Sequence, residues 1–224
     1  MTPKPFYQTL FLDVDSTLVT IEGIDALADG DLRIAALTEA AMNGEIPLEE
    51  VYRQRLELIR PTRLAIDRLG QQYLDAMLPD VDEVLMTLRD AGVNLQLITA
   101  GIEQAVLPLA TKLGIARGSV HAVALRFTAE GEYLDFNRAS HLTRSGGKET
   151  VVRDIRARRH GRAAFVGDGM TDLETKDAVD LFIGFGGVKI RESVRAGADF
   201  YLTEPRLAAL IPIILEGEHA RRIE

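Results

Sequence analysis

The chain is 224 residues long, enough for one large domain or for one domain carrying a sizeable insertion. Hydrophobic residues make up 46% and charged residues 27%, the balance of a soluble globular protein, which excludes a disordered chain. A formal net charge of -8 sets most of the surface against nucleic acid, and the lack of cysteine excludes a disulfide framework, a zinc knuckle and thiol catalysis.

In chain order, the opening MTPKPFYQTL holds one lysine and two prolines and no long apolar stretch, so no signal peptide is expected. No run of ~18 apolar residues follows, so no membrane span is expected either. A cysteine-free chain of this kind fits a reducing cytoplasm. TLFLDV (9–14) reads as the first strand. Residues 21–78 lose that rhythm, with apolar residues at three- and four-residue spacing punctuated by NGEIP and RPT, which predicts three or four helices. VDEVLMTLRDAG (81–92) is helical, NLQLITA (94–100) a strand and IEQAVLPLATKLG (102–114) helical again. VHAVALRFTAEGEYLDF (120–136) alternates around an EG turn and predicts a β-hairpin. The helix GKETVVRDIRARRHG (147–161) is followed by strands AAFVGD (163–168), LFIGF (181–185) and DFYLT (199–203). IPIIL (211–215) reads as an apolar helix face docked on the core. Gly92, Gly114 and Gly161 follow helical stretches, where a left-handed C-terminal residue is expected.

Strands alternating with helices predict an α/β fold, a Rossmann-like parallel sheet with helices on both faces. The helical block directly after the first strand reads as a small cap inserted over the strand's end. The expected division is a core of residues 1–20 and 79–224 and a cap of residues 21–78. The basic run RDIRARRHGR (153–162) reads as a solvated helix end that complements the helix dipole, because no aromatic residues interleave it as an RNA surface needs. The four histidines, His121, His141, His160 and His219, show no metal-ligand spacing.

The chemistry concentrates at strand ends. Residues two apart in a strand share a face, so Asp13 and Asp15 project together at the carboxyl end of TLFLDV, the end where open α/β sheets bind ligands. A second pair, Asp168 and Asp172, closes FVGDGMTD, with Gly167 and Gly169 flanking Asp168 for close approach. Any one of these could be a turn or capping aspartate. Three brought together would repel unless a cation neutralised them, and hard carboxylate oxygens suit Mg²⁺. LITAG (97–101) ends a strand with the hydroxyl of Thr99 and enters a helix whose free N–H groups favour an anion. SGGKET (145–150) places Lys148 just inside another helix. It is not a P-loop, because Leu142 and Glu149 occupy positions that motif reserves for Gly and Ser/Thr.

DVDSTL, LITAG, SGGK and GDGMTD in that order resemble the haloacid dehalogenase superfamily of phosphohydrolases. The likeness to its phosphoserine phosphatase family extends through DVDSTLVTIEGIDALA, NGEIPLEEVYRQRLELIRP, SGGKETV and GDGMTDLETKDAVDLFIGFGG, cap included. The resemblance implies that Asp13 is the nucleophile forming an aspartyl-phosphate, and Asp15 the general acid and then the base. It implies that Thr99 and Lys148 hold phosphoryl oxygens, and that Mg²⁺ is bound by Asp13, the Asp15 carbonyl and Asp168. Asp172 would orient this shell and Thr171 would line the phosphate site. Glu22 would pair with the amino group of O-phospho-L-serine and Arg55 with its carboxylate, with Ala100 and Gly101 approaching the substrate through backbone. A helix cap and a solvated helix residue are the plainer readings of Glu22 and Arg55. The implied activity is a hydrolase of a small phosphomonoester in serine biosynthesis, acting on neither nucleic acid nor membranes, with homodimerisation left open. Leu48 stands where the family usually has Phe, and Thr99-Ala100-Gly101 replaces Ser-Gly-Gly. These departures leave open another small phosphate, such as phosphohomoserine or a sugar phosphate, and transfer to an acceptor such as homoserine. A non-catalytic relative is disfavoured, since no catalytic acid is lost.

Overall fold

The computed structural model describes residues 4–43 and 45–217. His219 and the glycine of the NGEIP punctuation lie outside the described residues. The strands are β1 (Thr9–Leu12), β2 (Asn94–Ile102), β3 (Val120–Val123), β4 (Leu125–Phe127), β5 (Tyr133–Phe136), β6 (Ala163–Gly167), β7 (Leu181–Phe185) and β8 (Phe200–Leu202). The helices are α1 (Gly23–Leu27), α2 (Leu32–Met42), α3 (Leu48–Ile59), α4 (Arg63–Asp75), α5 (Val81–Asp90), α6 (Glu103–Lys112), α7 (Gly147–Arg156), α8 (Met170–Leu173), α9 (Glu192–Gly197) and α10 (Leu210–Glu216).

Six strands form one sheet in the order β3-β2-β1-β6-β7-β8, every neighbouring pair parallel. Helices flank the sheet, as the alternation predicts. β1, β6 and β7 are buried along their whole length, as expected of strands covered on both faces. The parallel register sets Phe11 beside Phe165 and Phe165 beside Phe182. Their rings stack with centroids 6.3 and 6.1 Å apart, a row of aromatics that ties the three central strands together. The strand order reverses at β1: the chain moves outward through β2 and β3, then returns to place β6 on the other side. Such a reversal opens a crevice at the carboxyl ends of β1 and β6.

Several boundaries differ from the sequence reading. Val120–Val123 does not enter the hairpin but pairs with β2 in parallel, Leu97 opposite Val120, leaving the antiparallel hairpin to β4 and β5. Alternation alone cannot tell a parallel edge strand from a hairpin arm; the free edge of β2 decides it. β1 ends at Leu12, so Asp13 continues the ladder by one hydrogen bond, from its N–H to Val166 O at 3.0 Å, while Asp15 lies in the turn beyond. α7 ends at Arg156, and the basic residues 158–162 are exposed, as a solvated helix end should be. Gly92 (φ 88°) and Gly114 (φ 67°) adopt the left-handed conformation after α5 and α6. α10 buries Leu210, Ile213 and Ile214, the docked face expected of IPIIL.

The segment between β1 and α5 holds four helices. Asp31 caps α2 by accepting from Arg33 N at 2.9 Å, and Thr62 caps α4 by accepting from Ala65 N at 3.2 Å. α4 lies close on α6 because Gly70 has no side chain: a Cβ there would sit 3.2 Å from Pro108 Cγ and 3.4 Å from Ala105 O. The hairpin supports the same segment, with Arg63 N donating to Gly131 O at 2.8 Å and the Tyr52 ring meeting Phe136 edge-on at 5.3 Å. No helix among the described residues is long and apolar enough to cross a membrane. Because Phe165 stands in the middle of the aromatic row, Phe165→Ala should lower unfolding stability by about 3–5 kcal/mol, read as a lower urea midpoint.

Candidate active site

The loop after β1 is wound tightly. Val14 O accepts from the N–H groups of Thr17, Leu18 and Val19, and Ser16 adopts a left-handed φ of 52°. The winding turns the chain back so that Ser16 N donates to Ile21 O at 3.2 Å and Ser16 Oγ donates to Glu22 Oε1 at 2.6 Å. Glu22 does sit at the N-cap of α1, but its side chain caps nothing there and faces the site instead.

From β6, Gly167 lets the chain pass close to Asp172: a Cβ at Gly167 would lie 2.3 Å from Asp172 Cγ. Asp172 Oδ2 accepts from Gly169 N at 2.9 Å, which fixes the carboxylate. Gly146, left-handed at φ 70°, begins α7 and aims Lys148 inward. Lys148 Nζ then sits 2.8 Å from Asp13 Oδ1 and 2.6 Å from Asp172 Oδ1, all three side chains buried. Burial alone would lower the Lys148 pKa, but the charges of Asp13 and Asp172 outweigh it and hold the ammonium above the ordinary lysine range.

Carboxylate oxygens of Asp13, Asp168 and Asp172 lie within 4.8 Å of one another. Desolvation, and then the charges of Glu22, Asp172 and Asp13, push Asp168 well above the usual carboxylate range. Desolvation, with Asp13 adding to it and Lys148 opposing, brings Asp172 up to about 7. Asp15 is likewise raised, by desolvation first and then by Glu22 and Asp13. Acids packed this closely need more positive charge than Lys148 brings. The all-oxygen donor set fits a hard divalent cation.

Above this cluster a cavity of about 20 Å³ is lined by Asp15, Glu22, Ile24, Thr38, Met42, Arg55, Ala100 and Gly101. Arg55 is buried, not solvated: it is 2% exposed, and its Nη1 donates to Thr38 Oγ1 at 2.8 Å. Thr99 is buried within β2, which runs on to Ile102 rather than ending at Ala100, and its Oγ1 accepts from Gly101 N at 2.9 Å; Ala100 O accepts from Tyr52 Oη at 2.9 Å. Asp15, Glu22, Arg55, Ala100 and Gly101 thus line one cavity, and Asp13, Lys148, Asp168 and Asp172 form one charged cluster. Met42, not Leu48, lines the cavity; Leu48 is buried with its N–H donating to Ser145 Oγ.

Two residues escaped the sequence reading. Arg191 follows β7, and its guanidinium donates to Asp168 Oδ2 (3.2 Å), Glu39 Oε1 (3.0 Å) and Asn43 Oδ1 (3.2 Å), with Nη2 3.9 Å from Glu22 Oε1. The strand-end rule applied to β7 was the one signal that pointed toward it. Tyr73 reads in sequence as an apolar position of α4, and only the fold brings its hydroxyl to Asp15. Buried side-chain polar atoms without a hydrogen bond also gather here. Among the described residues they are Arg55 Nε, Tyr73 Oη, Thr171 Oγ1 and, outside the site, Asn94 Nδ2, while Asp13 Oδ1 and Arg191 Nη2 have ion pairs only, with Lys148 and Glu22. Buried polar groups are nearly always paired, so Arg55 Nε and Thr171 Oγ1 are donors with capacity to spare.

Acids just past β1 and β6, the Thr99 hydroxyl on β2 and a lysine at the start of α7 supply the charged and polar side chains of this crevice. No family model matches the chain. It is 36% identical to the phosphoserine phosphatase of Mus musculus over 196 residues, covering 86% of this chain and 87% of that one. It is 36% identical to the chloroplastic phosphoserine phosphatase of Arabidopsis thaliana over 201 residues, covering 87% of this chain and 68% of that one. The fold matches a substrate-bound phosphoserine phosphatase complex with a TM-score of 0.80 at 22% identity, covering 93% of this chain and 98% of that one. The chain belongs to the phosphoserine phosphatase family.

Removing the ammonium from between two buried acids leaves both uncompensated. Lys148→Met should cost about 3–5 kcal/mol of unfolding stability in divalent-free buffer, measured by urea titration.

Proposed function

We propose that this chain is a Mg²⁺-dependent phosphomonoesterase that converts O-phospho-L-serine to L-serine and phosphate. The observation that carries this reading is the buried cluster of Asp13, Asp168 and Asp172 with Lys148 between two of its acids, beside the cavity lined by Glu22 and Arg55. Asp13, Asp168 and the backbone carbonyl of Asp15 are the proposed Mg²⁺ ligands, with Asp172 orienting them. Bound Mg²⁺ would offset the repulsion between a carboxylate and a phosphate dianion. Asp13 attacks phosphorus in line as Asp15 gives its proton to the leaving alkoxide, producing serine and an aspartyl-phosphate. Asp15 then takes a proton from the attacking water as phosphate is released from Asp13. Lys148, Thr99 and Thr171 hold the equatorial oxygens, where charge spreads in the transition state.

The serine end belongs to Glu22 and Arg55. Arg55 Nε has no partner in the cavity wall, which leaves it a donor for a carboxylate. A cavity of about 20 Å³ holds little more than one water. We therefore assign residues 21–78 the role of a cap that lifts from the core, residues 1–20 and 79–224, to admit substrate and closes to exclude water. Its closure is held by contacts such as Arg191 to Glu39 and Ser145 N to Glu49 Oε2 at 3.0 Å. Small-molecule turnover in the cytoplasm is the setting that an acidic, cysteine-free chain fits.

Purified protein with Mg²⁺ should release phosphate from phosphoserine, and Asp13→Asn should abolish it; activity on neither phosphoserine nor an aryl phosphate overturns the reading. Arg55→Ala should lower kcat/KM on phosphoserine by about 10- to 100-fold, the size of one or two lost charged hydrogen bonds, and leave p-nitrophenyl phosphate unchanged. Equal loss on both removes the amino-acid assignment, and phosphohomoserine, a sugar phosphate and homoserine as acceptor complete the panel. Mg²⁺ at a hundredfold excess over its Kd should stabilise the wild type by about 2.7 kcal/mol, and Asp168→Asn should lose that increment.

A further inference from the structure

The buried face of α4 is Ile66, Leu69, Gly70 and Tyr73, and the first three serve packing alone. Tyr73 is fully buried, yet its Oη has no hydrogen-bond partner of good geometry. A buried hydroxyl without a partner is costly, and a phenylalanine would fill the same volume without that cost. The hydroxyl is held in a narrow place. A Cβ on Gly23 would lie 2.0 Å from Tyr73 Oη and 3.5 Å from Asp15 Oδ1, and a Cβ on Gly101 would lie 3.4 Å from both Tyr73 Oη and Asp15 Oδ2. Two glycines on different elements thus leave room for the phenol against the carboxyl of Asp15. The other hold on that carboxyl is a long one, Gly23 N donating to Oδ1 at 3.3 Å.

We propose that Tyr73 is a positioning residue whose hydroxyl donates to the Asp15 carboxyl and keeps it aimed at the phosphoryl site. The proposal rests on the phosphatase reading above. During attack, the Asp15 proton passes to the leaving oxygen as the substrate P–O bond breaks and the Asp13–phosphorus bond forms. During hydrolysis a proton returns from water to Asp15 as the Asp13–phosphorus bond breaks. Tyr73 keeps its own proton throughout and touches neither phosphorus nor serine.

Tyr73→Phe separates the alternatives, because nitrophenolate leaves without a proton and the serine alkoxide does not. The expected result is a fall of about 10-fold or more in kcat/KM on phosphoserine, with p-nitrophenyl phosphate unchanged within about twofold. Calorimetry in an Asp13→Asn background should give the same phosphoserine Kd with and without the Tyr73→Phe substitution, and the thermal midpoint of the single variant should match wild type. A weakened Kd overturns the proposal in favour of a direct contact with the serine moiety. Equal losses in kcat/KM on both substrates, a constant that reports the phosphorylation step and not the shared hydrolysis, overturn it in favour of a structural role, and no loss on either overturns it outright. A wild type inactive on both substrates instead defeats the phosphatase reading itself.

Discussion

The structure turns on the ion pair network of Lys148 with Asp13 and Asp172. Several acids converge at the carboxyl ends of β1 and β6, and in a low-dielectric setting each added carboxylate raises the cost of charging the others. Lys148, 2.8 and 2.6 Å from its two partners, is the cation that makes the convergence tolerable, and Arg191 supplies a second on the Asp168 side. What remains is a set of buried carboxyls, Asp15, Asp168 and Asp172, that burial and mutual repulsion hold above the usual carboxylate range.

The sheet exists, for this purpose, to hold the convergence rigid. The reversal of strand order at β1 places the ends of β1 and β6 side by side, and the aromatic row of Phe11, Phe165 and Phe182 locks those strands below the acids. The four helices after β1 close the other side, bringing Glu22, Arg55 and Tyr73 over the cluster. Arg191 spans the two parts, reaching Asp168 on the sheet and Glu39 and Asn43 on α2.

Much of this was legible in the sequence because it was written as short-range pattern. Apolar strand runs ending in Asp, glycines flanking Asp168, and a lysine one step inside a helix are local signals with local physical causes. The helical spacing of residues 21–78 predicts three or four helices for the same reason, and four form. The hairpin reading of residues 120–136 was half right: alternation is shared by any half-buried strand, and which edge Val120–Val123 pairs with depends on β2 lying open beside it. Arg191 carried no signal beyond its place after β7, and Tyr73 none, since a loop arginine and an apolar-face tyrosine look alike whether they reach an active site or not.

The sequence by itself determined the order of elements, the acids at the strand ends, the lysine and the family. These follow from periodicity, from residue type at element boundaries and from motif order. Only the tertiary structure decided which charges neutralise which. It turned Glu22 from a nominal helix cap into a cavity wall bonded to Ser16, buried Arg55 against Thr38, and set Tyr73 against Asp15 through the space two glycines leave. Those outcomes depend on distances between segments far apart in the chain, and electrostatic energy depends on distance and burial, neither of which spacing along a chain can specify.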